Sequence, residues 1–137
     1  MKKTILWTVI GILVTGMVVA FVEFIGHQVY PLPEGVEPYN PESMTEYMKV
    51  IPLGAMLFVL AGWFIGAFTG TTIAVIFAGE NGCRIALIIG IVFLAASIFT
   101  MISIPTPIWF WIAGLLMCPS GAYAGSQLAL SLNSKQT

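Results

Sequence analysis

Glu23 and His27 are the residues whose types and spacing invite a chemical reading. They stand four apart in "EFIGHQVYPLPEG", residues 23–35, where a long apolar run ends, and His27 is the only histidine in the chain. On a helix, residues four apart share a face. A carboxylate beside an imidazole is a proton-relay pair. The same two side chains could begin a metal site, although two ligands are too few without Glu34, Glu37 or a second subunit. They could also receive a lipid or quinone headgroup. The plain structural alternative is a hydrogen-bonded staple between the first helix and the loop after it. Tyr30 falls on the same face, and Lys49, the one basic residue of that loop, is a candidate partner for Glu23.

Little else in the chain could do chemistry. There is no Asp, and the six acids are Glu23, Glu34, Glu37, Glu42, Glu46 and Glu80. Cys83 and Cys118 are the only cysteines and form no CxxC pattern, so neither a zinc site nor a thiol redox motif is supported. With one His, no Asp and separated cysteines, an enzyme is the least supported class. No metal or cofactor is implied. There is no basic cluster to grip phosphate, which argues against nucleic acid.

The elements that must position these residues are membrane helices. Hydrophobic residues make up 58% of the 137 and charged residues only 8%. Soluble chains carry about 25% charged residues, so this surface requires lipid as its solvent. Four apolar stretches are long enough to span, which takes roughly 20 residues: 4–30, 52–78, 85–104 and 107–132. The first begins "MKKTILWTVIGILVTGMVVAFVEF". It has a signal peptide's positive start, but its apolar run is longer than the usual apolar core and no A-x-A-like cleavage site follows. It therefore reads as a retained first transmembrane helix.

The breaks between spans have local causes. Pro31 and Pro33 stop the first helix, because proline lacks an N–H and restricts the residue before it. Gly79 can take the left-handed conformation that ends the second, and Asn81-Gly82 suits a tight reversal. Thr106 can cap the fourth, with Pro107 at its first position. Within the loop 31–51, Asn40-Pro41-Glu42 reads as the start of a short helix over "PESMTEYM". That helix would turn Met44, Tyr47 and Met48 toward lipid or bundle and act as a lid. Lys2, Lys3, Arg84 and Lys135 flank one side of the spans, whereas the loop 31–51 sets Lys49 against four glutamates. The positive-inside rule then places both termini in the cytoplasm and the acidic loop outside. The expected fold is all-α: one domain over 1–137, an up-down-up-down four-helix transmembrane bundle with a short helix in the outer loop.

Glu23 lies about 28 Å along the helix axis from Thr4 at about 1.5 Å per residue, near the outer edge of the hydrocarbon. Gly16, Ala20, Glu23, His27 and Tyr30 fall on one face, and small and ionisable residues usually face protein. Thr100, Ser103 and Trp111 are expected at similar depth. Trp63, Thr69, Thr71 and Thr72 lie deeper, where hydroxyls usually bond their own backbone. Trp7 fits the inner aromatic belt, Trp109 and Trp111 the outer. Pro119 is expected to kink the fourth helix at Cys118.

Small residues recur every fourth position: Gly62, Gly66 and Gly70 in the second span, Gly121 and Gly125 in the fourth, Gly16 and Ala20 in the first. Such stripes let helix backbones approach closely, within the chain or between copies. "GAFTG", residues 66–70, and "GAYAG", residues 121–125, each begin fourteen residues after a proline, Pro52 or Pro107. They would fit two hairpins related as a parallel repeat.

A four-helix chain with a glutamate in its first helix invites comparison with the small multidrug resistance transporters. That family's essential glutamate lies well inside the helix and its loops are short, so no residue is carried over. Along "EFIGHQVYPLPEG", "PLGAMLFVLAGWFIGAFTG" (residues 52–70) and "PIWFWIAGLL" (residues 107–116), the chain resembles small four-helix bacterial integral membrane proteins with an E-x-x-x-H element at the end of helix 1. The resemblance implies a multi-pass protein of the bacterial inner membrane and supplies no activity. The leading expectation is a non-enzymatic scaffold or accessory subunit that packs through its glycine stripes with itself or a larger membrane complex. The alternatives are a homodimeric small-molecule or proton-coupled transporter built around Glu23 and His27, and a membrane-embedded ligand or metal binder.

Overall fold

The computed structural model describes residues 2–135. Their regular structure is all helical, with no strand: α1 (Lys2–Val29), α2 (Pro41–Val50), α3 (Leu53–Ala78), α4 (Gly82–Ser103) and α5 (Ile108–Ser134), with a single 3₁₀ turn at Gly79–Asn81 joining α3 to α4. All but α2 are long and apolar enough to cross a membrane. Large apolar side chains cover the outside. Met17 is 72% exposed, and Phe21, Phe99 and Ile108 are similarly open. A surface of this kind is stable only against lipid. The chain is a small multi-pass integral membrane protein.

Helix ends follow the local chemistry. α1 stops at Val29, two residues before Pro31. Asn40 caps α2, its Oδ1 accepting from the backbone N–H of Glu42 at 3.0 Å and of Ser43 at 3.3 Å, with Pro41 in the first turn. Gly79 ends α3 with φ +70° and ψ −127°. The φ is positive, but the ψ lies outside the left-handed helical region expected for this glycine. α4 begins at Gly82, so Arg84 sits in its first turn rather than in the connecting loop. α4 ends where Ile104, preceding Pro105, turns extended at φ −123° and ψ 128°.

Thr106 does not cap α5. The helix begins one residue later than the sequence suggests, and extended Pro107 takes the cap position with no side-chain bond. Thr106 is left one place outside the helix, and its hydroxyl is buried with no partner. Pro119 sits inside α5, which continues through it.

α3 is the hub. One of its faces meets α1, and residue numbers fall along α1 as they rise along α3. Gly26 abuts Phe58, Gly62 lies against Val22, Gly66 against Val19 and Thr15, and Gly70 against Thr15 and Gly11. A Cβ on Gly70 would stand 2.5 Å from the Gly11 carbonyl oxygen, so the two backbones are nearly in contact. The other face of α3 meets α5 in the same direction: Gly121 lies on the Phe64 carbonyl and Gly125 on the Phe68 carbonyl. The Thr72 hydroxyl donates to both Phe68 O, at 2.7 Å, and Gly125 O, at 3.2 Å, tying the two helices. α4 closes against α5 and α3, with Ile85 and Ile89 fully buried.

Two expectations are corrected here. The seam on α1 runs through Gly11, Thr15, Val19, Val22 and Gly26, not through Gly16 and Ala20. Gly16 has nothing within 4 Å of a built Cβ, and Ala20 is exposed. The physical reason is register. A one-residue offset rotates a helix face by about 100°, and the close approach that Gly70 permits is to Gly11 and Thr15. The hairpin repeat fails as well. Gly66 packs on the helix of its own hairpin, whereas Gly121 packs across on α3.

Candidate functional site

At the end of the bundle where α1 stops, the helices part around a cavity of about 280 Å³. α2 lies across it. Tyr47 is 7% exposed, and Met44 and Met48 are half-buried; all three line the cavity, so they face the bundle and not lipid. The α2 sequence alternates accordingly. Its outward residues include Glu42, Glu46 and Lys49, which are exposed. The Asn40 cap fixes where α2 begins. Asn40→Ala is expected to cost α2 about 1 kcal/mol. Hydrogen exchange of the α2 amides should accelerate about five-fold, while those of α3 stay unchanged.

Glu23 is half-buried and lines the cavity from α1. Trp63, from the middle of α3 and 6% exposed, lines the same cavity. The Trp63 ring is held in turn by an edge-to-face contact with Phe110, centroids 5.7 Å apart, and by Gly114, where a Cβ would come within 2.9 Å of the indole. His27 is exposed at the cavity edge, one helical turn from Glu23, and the two form no ion pair. Tyr30 folds inward over α3. A Cβ on Gly54 would collide with its ring, and it meets Phe58 edge to face at 6.0 Å.

The structure therefore brings Glu23, His27 and Tyr30 to one cavity and leaves Lys49 outside it. Lys49 Nζ bonds Glu46 Oε1 at 2.6 Å on the exposed side of α2. That neighbour lies three residues back, one turn along the same helix, and α2 turns both side chains away from Glu23. Among the described residues Lys49–Glu46 is the one ion pair, and no three His, Cys, Asp or Glu side chains converge on a point. Thr100 lines the cavity, while Ser103 and Trp111 do not.

Sequence reasoning missed Trp63, Phe58 and Phe110 as walls of the cavity. A signal was present. Gly54 and Gly62 bracket Phe58 on α3 at helical spacing and face α1, which brings this part of α3 against the end of α1. Thr71 and Thr106 carry hydroxyls that are buried and unpartnered, and Thr106 borders the cavity. Thr71 departs from the expectation that membrane hydroxyls bond their own backbone.

The chain matches no family model, no curated protein and no solved structure. Its class, a small four-span integral membrane protein, rests on the fold.

Proposed function

We propose that this is a non-enzymatic binder of a small amphipathic molecule in the bacterial inner membrane. On this reading the spans run up-down-up-down, both termini are cytoplasmic, and α2 is a lid on the outer surface. The positive-inside distribution of Lys2, Lys3, Arg84 and Lys135 supports that orientation. The observation that carries the binding role is the lidded cavity itself. It has apolar and aromatic walls with a few convergent polar groups, Glu23 foremost, which is the usual make-up of a small-molecule site.

The glycine stripes lend the scaffold reading less support than the sequence suggested. Gly62, Gly66, Gly70, Gly121 and Gly125 are taken up by contacts within the chain. The α1 face with Gly16 and Ala20 has no intrachain partner, and it favours self-association as a second reading.

The test is access to the cavity. In a Cys83→Ser, Cys118→Ser background, a Thr106→Cys variant in membranes should react with a small water-soluble thiol reagent. Adding Ala55→Phe, which fills the space, should slow the reaction at least about ten-fold. A Thr106→Cys variant that stays unreactive in otherwise folded protein would mean a closed, dry bundle, and the binding role would fail.

A further inference from the structure

We infer that the cavity takes a small organic cation, with Glu23 as its counter-charge. This rests on the binding role proposed above and names the ligand class for the same cavity. Five aromatic rings line it together with Glu23: Tyr30, Tyr47, Phe58, Trp63 and Phe110. The faces of such rings are electrostatically negative and attract cations within about 6 Å of the centroid. The rings come from the end of α1, from α2, from α3 and from α5, so they surround the space rather than line one wall.

Glu23 is the one carboxylate that lines the cavity. No Lys or Arg lines it, and Lys49 on the lid is engaged with Glu46. His27 is the only nitrogen base in the lining, and it stands exposed at the edge. The segment 31–50 sets Glu34, Glu37, Glu42 and Glu46 against Lys49 alone, so a cation approaches through a favourable field. An ionised carboxylate offers roughly four acceptor positions, and among the described residues Glu23 has no ion-pair partner. A carboxylate within a membrane span normally finds a cationic partner. The chain supplies Glu23 with no lysine or arginine, and a bound cation would take that place. An ionised Glu23 would repel an anion and gain nothing from a neutral ligand. The volume of about 280 Å³ falls just below the usual range of small-molecule sites, about 300–1,000 Å³, so the ligand is small: one ring and one quaternary head.

The experiment compares benzyltrimethylammonium with its uncharged isostere neopentylbenzene by equilibrium dialysis against the full chain in nanodiscs. Ala55→Phe nanodiscs provide the background of partition into lipid. The cation should bind wild type about ten-fold or more tightly than the isostere. In Glu23→Gln that preference should shrink to within about two-fold, with binding of the isostere retained. An isostere bound as tightly as the cation in wild type would overturn the cation assignment and leave the cavity a general apolar site. So would a preference that survives Glu23→Gln. If neither probe binds above the Ala55→Phe background, the cation assignment and the binding role fall together. The wild-type ratio decides the matter even if Glu23→Gln fails to fold.

Discussion

Gly70→Ala is expected to destabilise the protein by about 3 kcal/mol, and Gly16→Ala to leave it unchanged or stabilise it by up to about 1 kcal/mol. The two substitutions are chemically identical and both fall in small-xxx-small patterns of the sequence. They differ in what a methyl group would meet. At Gly70 it would strike the Thr15 hydroxyl, the Gly11 carbonyl oxygen at 2.5 Å and the Thr15 amide at 2.9 Å. Two of these are backbone atoms and cannot rotate away. The Thr15 hydroxyl is itself fixed by donating to Gly11 O at 2.8 Å. The only relief is to separate α1 from α3. In lipid that loss is severe, because helix association there rests on close packing and not on hydrophobic burial. At Gly16 a Cβ meets nothing within 4 Å. What remains is the helix preference for alanine over glycine, about 0.5–1 kcal/mol. Reversible unfolding in mixed micelles would measure both. Equal effects of one sign would refute the register of α1 on α3.

Trp63→Ala is expected to cost about 3–5 kcal/mol, the range for emptying a buried large aromatic site. The indole fills the space between Gly114, Phe110 and the cavity, so its removal leaves a void that those neighbours cannot close. Trp63→Phe is the milder change. It keeps an aromatic ring against Phe110 and should cost about 1–2 kcal/mol, the range for a smaller packing defect. The check is the order of unfolding midpoints: wild type above Trp63→Phe, and Trp63→Phe well above Trp63→Ala. Equal midpoints for the two variants would mean that an aromatic ring contributes no packing here.

What the sequence disclosed and what it hid divide along physical lines. The spans were legible because lipid imposes a composition on whole stretches, and no tertiary contact is needed to see it. The α2 start was legible because Asn40 and Pro41 act on their own neighbours. The α5 start was misjudged by one residue, since Thr106 and Pro107 compete for the same cap position and the side chain lost. Faces were harder to read. The four spanning helices are apolar all round, so their pattern cannot say which side meets protein. On α1, β-branched Thr15 and Val19 form the seam that the small Gly16 and Ala20 suggested. The cavity was only half legible. Glu23 and His27 share a helix and could be paired by spacing. Trp63, Phe58 and Phe110 reach them only through the register of α3 and α5, which no local pattern encodes.

The proposed binding of a small molecule in the cavity beneath α2 is tested most directly by native mass spectrometry of gently solubilised protein, with wild type and Ala55→Phe prepared side by side from the same cells. Wild type should carry a discrete small-molecule adduct that survives mild activation, and Ala55→Phe, with the same number of chains, should not. The same adduct on both proteins, or none on wild type, would contradict a binding role for the cavity.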